Sequence, residues 1–138
     1  MKRNTATALA VVVLGWFYFN HMQDPVARYT AYPFEYRDVV VSAAEKEEVS
    51  PSLVASVILA ESKYKNTAES ETGALGLMQL MPDTARWVAQ QMGHSNYTDR
   101  QLKEPEINIQ LGTWYLGYLL KEFNGDEVQA LAAYNAGR

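Results

Sequence analysis

Residues 50–62 read SPSLVASVILAES, and this stretch decides the fold. Ser50 supplies an oxygen suited to capping free N–H groups, and Pro51 follows where a missing N–H costs nothing, so a helix is predicted from Pro51 to about Lys63. Leu53, Val54, Val57 and Ile58 set its apolar face. Glu61 lies three residues after Ile58, four after Val57 and seven after Val54, which puts a carboxylate on that same face. Desolvation there disfavours the charged form and lets the acid hold a proton near neutral pH, the condition for a general acid. The same position equally suits a last-turn glutamate that reaches solvent or pairs with Lys63 or Lys65.

Working outward from this helix, the polar run Tyr64 to Gly76 reads as a loop. It leads into Gly73-Ala-Leu-Gly76-Leu-Met78-Gln79-Leu-Met81-Pro82, whose two glycines permit close backbone approach. Gln79 there offers a donor and an acceptor to sugar hydroxyl or acetamido groups, although methionine and leucine content of this kind also marks core. Pro82 and Asp83 start a further helix that Gly93 ends. Glu104 and Pro105 open a long one reaching about Phe123, with an apolar face of Ile107, Leu111, Trp114, Tyr115, Tyr118 and Leu119. Asn108 shares the stripe of Leu111, Gly112 and Tyr115. Asn124, Gly125 and Asp126 break that helix and cap a last one, Glu127 to Tyr134, with Gly137 as its stop.

Upstream, Val39, Val40, Ala43 and Ala44 recur at helical spacing between Tyr36 and Glu48, and the charged end Glu45 to Glu48 reads as a solvated face. Almost no stretch alternates like a strand, so the fold class is all-α. Residues 23–35 read as a linker. Lys2 and Arg3 precede the apolar run Ala6 to Phe19, and residues 1–22 are read as a signal or anchor helix, uncleaved, with Trp16 to Phe19 at the outer membrane interface. This reading places the rest of the chain on the extracytoplasmic face of the membrane. A length of 138 residues leaves room for one domain, here residues 36–138.

With 12 Lys+Arg against 16 Asp+Glu and a net charge of −4, the chain lacks the basic surplus of a sequence-independent nucleic-acid binder. With 0 cysteines, disulfides and thiol catalysis are excluded. His21 and His94 lie far apart and no HExxH occurs, so neither a metal nor another cofactor is expected.

Four short motifs now fall into order: Glu61-Ser62, Gly73 to Gln79, Asn108 with Leu111-Gly112 and Tyr115-Leu116, and Ala133-Tyr134-Asn135-Ala136-Gly137. Together they resemble the catalytic domain of the soluble lytic transglycosylases, from about Tyr36 to the end of the chain. The resemblance implies a lysozyme-like helical fold and action on peptidoglycan glycan strands, with Glu61 as the single catalytic acid and base. It implies substrate contacts from Ser62, Met78, Gln79 and Tyr134, a supporting role for Asn135, and a structural motif of Gly73, Gly76, Asn108, Gly112 and Tyr115. Domains of that family continue past the last motif with helix that closes one side of the cleft, so it also implies a C-terminally truncated domain at Arg138. A goose-type hydrolase on a related fold and a non-catalytic glycan-binding fragment are the rival readings.

Overall fold

The structure is a computed structural model and describes residues 35–137. The signal or anchor segment 1–22 and nearly all of the 23–35 linker lie outside the described residues. Among those described, no helix is long and apolar enough to cross a membrane.

Among the described residues five α-helices follow in order: α1 (Arg37–Lys46), α2 (Pro51–Ser62), α3 (Pro82–Gln91), α4 (Pro105–Glu122) and α5 (Glu127–Ala136). A short 3₁₀ helix, Asp99–Lys103, precedes α4. No strand forms among the described residues; two isolated β-bridges, Glu69 with Leu75 and Leu75 with Leu80, fold the loop between α2 and α3 on itself. The all-α reading therefore holds.

α4 is the axis of the fold. It packs against α1, α3, α5 and the 3₁₀ helix, and it buries Asn108, Ile109, Leu111, Gly112, Thr113, Tyr115, Leu116, Gly117 and Leu119. A helix hydrophobic on most sides is one surrounded by others. The single stripe predicted for it was thus too narrow: Ile109 and Leu116 are fully buried, whereas Ile107, Trp114 and Tyr118 are half-buried. Two glycines allow neighbours to close on this helix. A Cβ at Gly112 would stand 2.5 Å from Met78 Sδ, and one at Gly117 3.2 Å from Val49 Cγ2.

The helix ends depart from expectation in physical detail. Ser50 occupies the N-cap of α2 but its side chain makes no cap hydrogen bond; its hydroxyl pairs with that of Ser52 at 2.7 Å. Asp126 does cap α5, accepting from the Gln129 N–H at 3.0 Å. α5 also runs two residues beyond Tyr134, to Ala136, before Gly137 at φ 69° ends it. The 3₁₀ helix was not foreseen. Thr98 and Gln101 form a capping box at its start, and Arg86 of α3 reaches Asp99 there and Asp83 in its own helix.

Candidate active site

α2 buries Val54, Val57, Ile58 and Ser62, so Glu61 stands at the edge of the buried face, half-exposed. From that edge it lines an open cleft of about 520 Å³. Burial raises its carboxyl above the ordinary glutamate value, and no charge among the described residues contributes to that shift. α2 stops immediately afterwards because Lys63 and Tyr64 both take left-handed backbone, at φ 52° and 63°. Tyr64 folds back to donate its hydroxyl to the Ala55 carbonyl at 3.2 Å.

The loop that follows is keyed into α4 by Asn108, which is almost fully buried. Its Nδ2 donates to the carbonyls of Leu75 and Leu102, each at 2.9 Å, and its Oδ1 accepts from the Met78 N–H at 2.8 Å. Such a contact demands glycine at position 76: φ is 79°, and a Cβ would lie 2.3 Å from Asn108 Nδ2. Met78 is fully buried, and its thioether lies over Gly112. Its side chain is core, and its backbone N–H and carbonyl are the groups that bond to Asn108 and Tyr134. Gln79 takes left-handed backbone at φ 48° and donates Nε2 to the carbonyls of Gly76 at 2.8 Å and Ala68 at 3.2 Å. Both partners are acceptors, which fixes the amide orientation and leaves Oε1 as the group that Gln79 offers to the cleft it lines.

Tyr134 and Asn135 of α5 and Tyr115 of α4 line the same cleft. The Tyr134 hydroxyl donates to the Met78 carbonyl at 2.9 Å. Its ring meets that of Tyr115 at a centroid separation of 5.3 Å. Burial first, then the charge of Glu61 and then Tyr115, hold the Tyr134 hydroxyl well above the ordinary phenol range. It stays protonated at any physiological pH.

The structure thus gathers Glu61, Gln79, Tyr115, Tyr134 and Asn135 at one cleft. Ser62 does not join them; it is buried and its hydroxyl returns to the Ile58 carbonyl at 3.1 Å. Met78, Gly73, Gly76, Asn108 and Gly112 do not line the cleft, and all but Gly73 build its floor from behind. Ser70, Thr72, Leu80, Met81 and Thr84 line it without having been singled out from sequence. Ser70 carried the one usable signal. Its hydroxyl accepts from the Ala74 N–H at 2.9 Å and its carbonyl from the Gly73 N–H at 3.0 Å, the local turn that a serine three residues before a glycine favours. Glu61 is the one charged side chain lining the cleft among the described residues, and no group of three or more His, Cys, Asp or Glu gathers among them to hold a metal.

The site so defined is a helical domain built around a central buried helix, with one desolvated carboxylate at the edge of an open groove. Residues 38–138 match the family model described as the Transglycosylase SLT domain, and the chain belongs to that family. It is 36% identical over 107 residues to the soluble lytic murein transglycosylase of Salmonella typhimurium, covering 77% of this chain and 17% of that protein. It is 35% identical over 105 residues to the peptidoglycan transglycosylase gp16 of Escherichia phage T7, covering 76% of this chain and 8% of that one. Among solved structures, the lytic transglycosylase Slt of Pseudomonas aeruginosa, an inactive glutamate-to-glutamine mutant, matches with a TM-score of 0.74 and 32% identity over 94% of this chain and 22% of that chain. The 70 kDa soluble lytic transglycosylase of Escherichia coli matches with a TM-score of 0.74 and 34% identity, over 79% and 18%. The chain therefore spans less than a quarter of the length of these relatives.

Proposed function

We propose that this domain is a peptidoglycan lytic transglycosylase, with Glu61 acting first as acid and then as base. The observation that carries the reading is the solitary, desolvated carboxylate of Glu61 in the cleft. Its O–H gives a proton to the oxygen joining C1 of N-acetylmuramic acid to C4 of N-acetylglucosamine. The C1–O bond breaks, the N-acetylglucosamine end leaves with a 4-hydroxyl, and positive charge develops at C1. The ionised Glu61 then takes the proton from the C6 hydroxyl of the muramic residue, whose oxygen closes on C1 to give a 1,6-anhydro end. Glu61 finishes protonated, and no water is consumed.

That closure is intramolecular and asks for no second carboxylate to activate water. The lining agrees with it, since beyond Glu61 the cleft offers hydroxyls, amides and apolar groups. A water-adding hydrolase has no such partner for Glu61 among those residues. Gln79, Ser70 and Asn135 line the cleft, and their amide and hydroxyl groups suit the polar groups of a glycan. The reading of residues 1–22 as an anchor puts this chemistry outside the cytoplasm, within reach of the wall. A relative from Buchnera aphidicola, 30% identical over 90 residues covering 64% of this chain and 41% of that protein, is named a membrane-bound lytic murein transglycosylase E, which supports tethering here.

Release of soluble fragments from dye-labelled peptidoglycan tests the reading. Wild-type protein is expected to release dye, and Glu61→Gln at most about a hundredth as much, from the loss of general acid–base catalysis. Equal release by the two would remove Glu61 from the chemistry.

A further inference from the structure

The Met78 backbone is held on both sides of its Cα. Its N–H donates to Asn108 Oδ1 at 2.8 Å, and its carbonyl accepts from the Tyr134 hydroxyl at 2.9 Å. Asn108 is itself pinned by two further bonds, to the Leu75 and Leu102 carbonyls, so it has little freedom to release Met78. A phenol has one proton to donate. Tyr134 spends it on Met78, although it shares the cleft with Glu61.

We infer that the Met78 carbonyl withholds the Tyr134 hydroxyl from Glu61, and that Asn108, by fixing the Met78 backbone, is a positioning residue that keeps the Glu61 carboxylate without that hydroxyl as a donor. A carboxylate that gains such a donor becomes a weaker proton carrier at neutral pH, because the bond favours the ionised form. Withholding it preserves the acid. The inference rests on the assignment of Glu61 as the acid. The other titratable groups facing it across the cleft are Tyr115 from α4 and Tyr134 from α5, while α3 and the loop between α2 and α3 contribute no titratable side chain to the lining. Lys63 and Lys65, which follow it in sequence, are exposed and lie outside the cleft lining. The raised proton affinity of Glu61, with burial as its cause and no hydrogen bond contributing, is consistent with this arrangement.

The test is the titration of the Glu61 side-chain carboxyl by ¹³C NMR in the full chain labelled at glutamate, assigned by loss of the signal in Glu61→Gln. It reads the acid itself and needs no turnover, so it stands apart from any failure to cleave glycan. Tyr134→Phe is expected to leave the Glu61 midpoint unchanged or only slightly raised. An increase of about a unit or more would show that Tyr134 donates to the carboxylate and would overturn the proposal. Asn108→Ser, which frees the Met78 peptide, is expected to lower the midpoint, and Tyr134→Phe in the same chain to abolish that lowering. A lowering that persists without the hydroxyl, or none in a folded Asn108→Ser protein, would remove Asn108 from the device. Should Asn108→Ser fail to fold, the Tyr134→Phe midpoint decides the matter alone.

Discussion

Tyr134 and Met78 lie 56 positions apart in sequence, yet the tyrosine hydroxyl donates to the methionine carbonyl at 2.9 Å and ties α5 to the floor of the cleft. Both groups are buried, so this bond is one the protein cannot trade for water without opening the fold. Tyr134→Phe leaves the Met78 carbonyl without its donor. The expected loss is about 1–3 kcal/mol of stability, read as a lower urea midpoint with an unchanged slope. An unaltered midpoint would mean that the bond contributes nothing net.

Glu61 makes stability depend on pH in a direction opposite to that of a salt-bridged carboxylate. Its folded-state proton affinity is raised by burial, so the native state holds the proton more tightly than the unfolded chain does. The stabilisation linked to that proton is complete below the unfolded glutamate value of about 4.3 and disappears as pH rises through the higher folded value. Glu61→Gln, which is never charged, should match the wild type in acid and be the more stable protein at neutral pH. Thermal unfolding of both at pH 4 and pH 7 checks this, and a variant less stable than wild type at pH 7 would contradict it. Cleavage should follow the same ionisation, with its alkaline limb shifted above the ordinary glutamate value.

Gly73 and Gly76 both take positive φ, but for different structural reasons. Gly73, at 92°, has nothing within 4 Å of an added Cβ, whereas at Gly76 that atom would meet Asn108 Nδ2 at 2.3 Å and the Leu102 carbonyl at 3.0 Å. Gly73→Ala is expected to cost about 1–2 kcal/mol from backbone conformation alone. Gly76→Ala should cost at least about 2 kcal/mol more by displacing Asn108. Urea unfolding of the pair separates the contributions, and equal losses would show that Asn108 yields without consequence.

These contrasts also show what the sequence made legible. The α2 boundary could be read from Ser50-Pro51, and α3 and α4 from Pro82 and Pro105, because a helix start is a local chemical event. The position of Glu61 on its helix followed from periodicity alone. Its placement at the edge of the buried face, with solvent on one side, depends on what packs against α2 and was not periodic information. Met78 and Ser62 illustrate the harder limit. Their motifs mark them, yet one side chain is sealed over Gly112 and the other bonded to its own helix, because close approach to α4 and the local backbone claim them first. The burial of α4 nearly all round escaped the single-stripe reading for the same reason: each flank is buried by a different neighbour. Ser70 and Met81 enter the cleft through the fold of the loop, which no helical period describes.

Mass spectrometry of the muropeptides released from purified peptidoglycan by the full chain, with Glu61→Gln in parallel, decides whether Glu61 drives a non-hydrolytic cleavage. The account requires 1,6-anhydro-muramic ends from the wild type and none from the variant. Reducing muramic ends, formed by addition of water, would contradict it and make the domain a hydrolase.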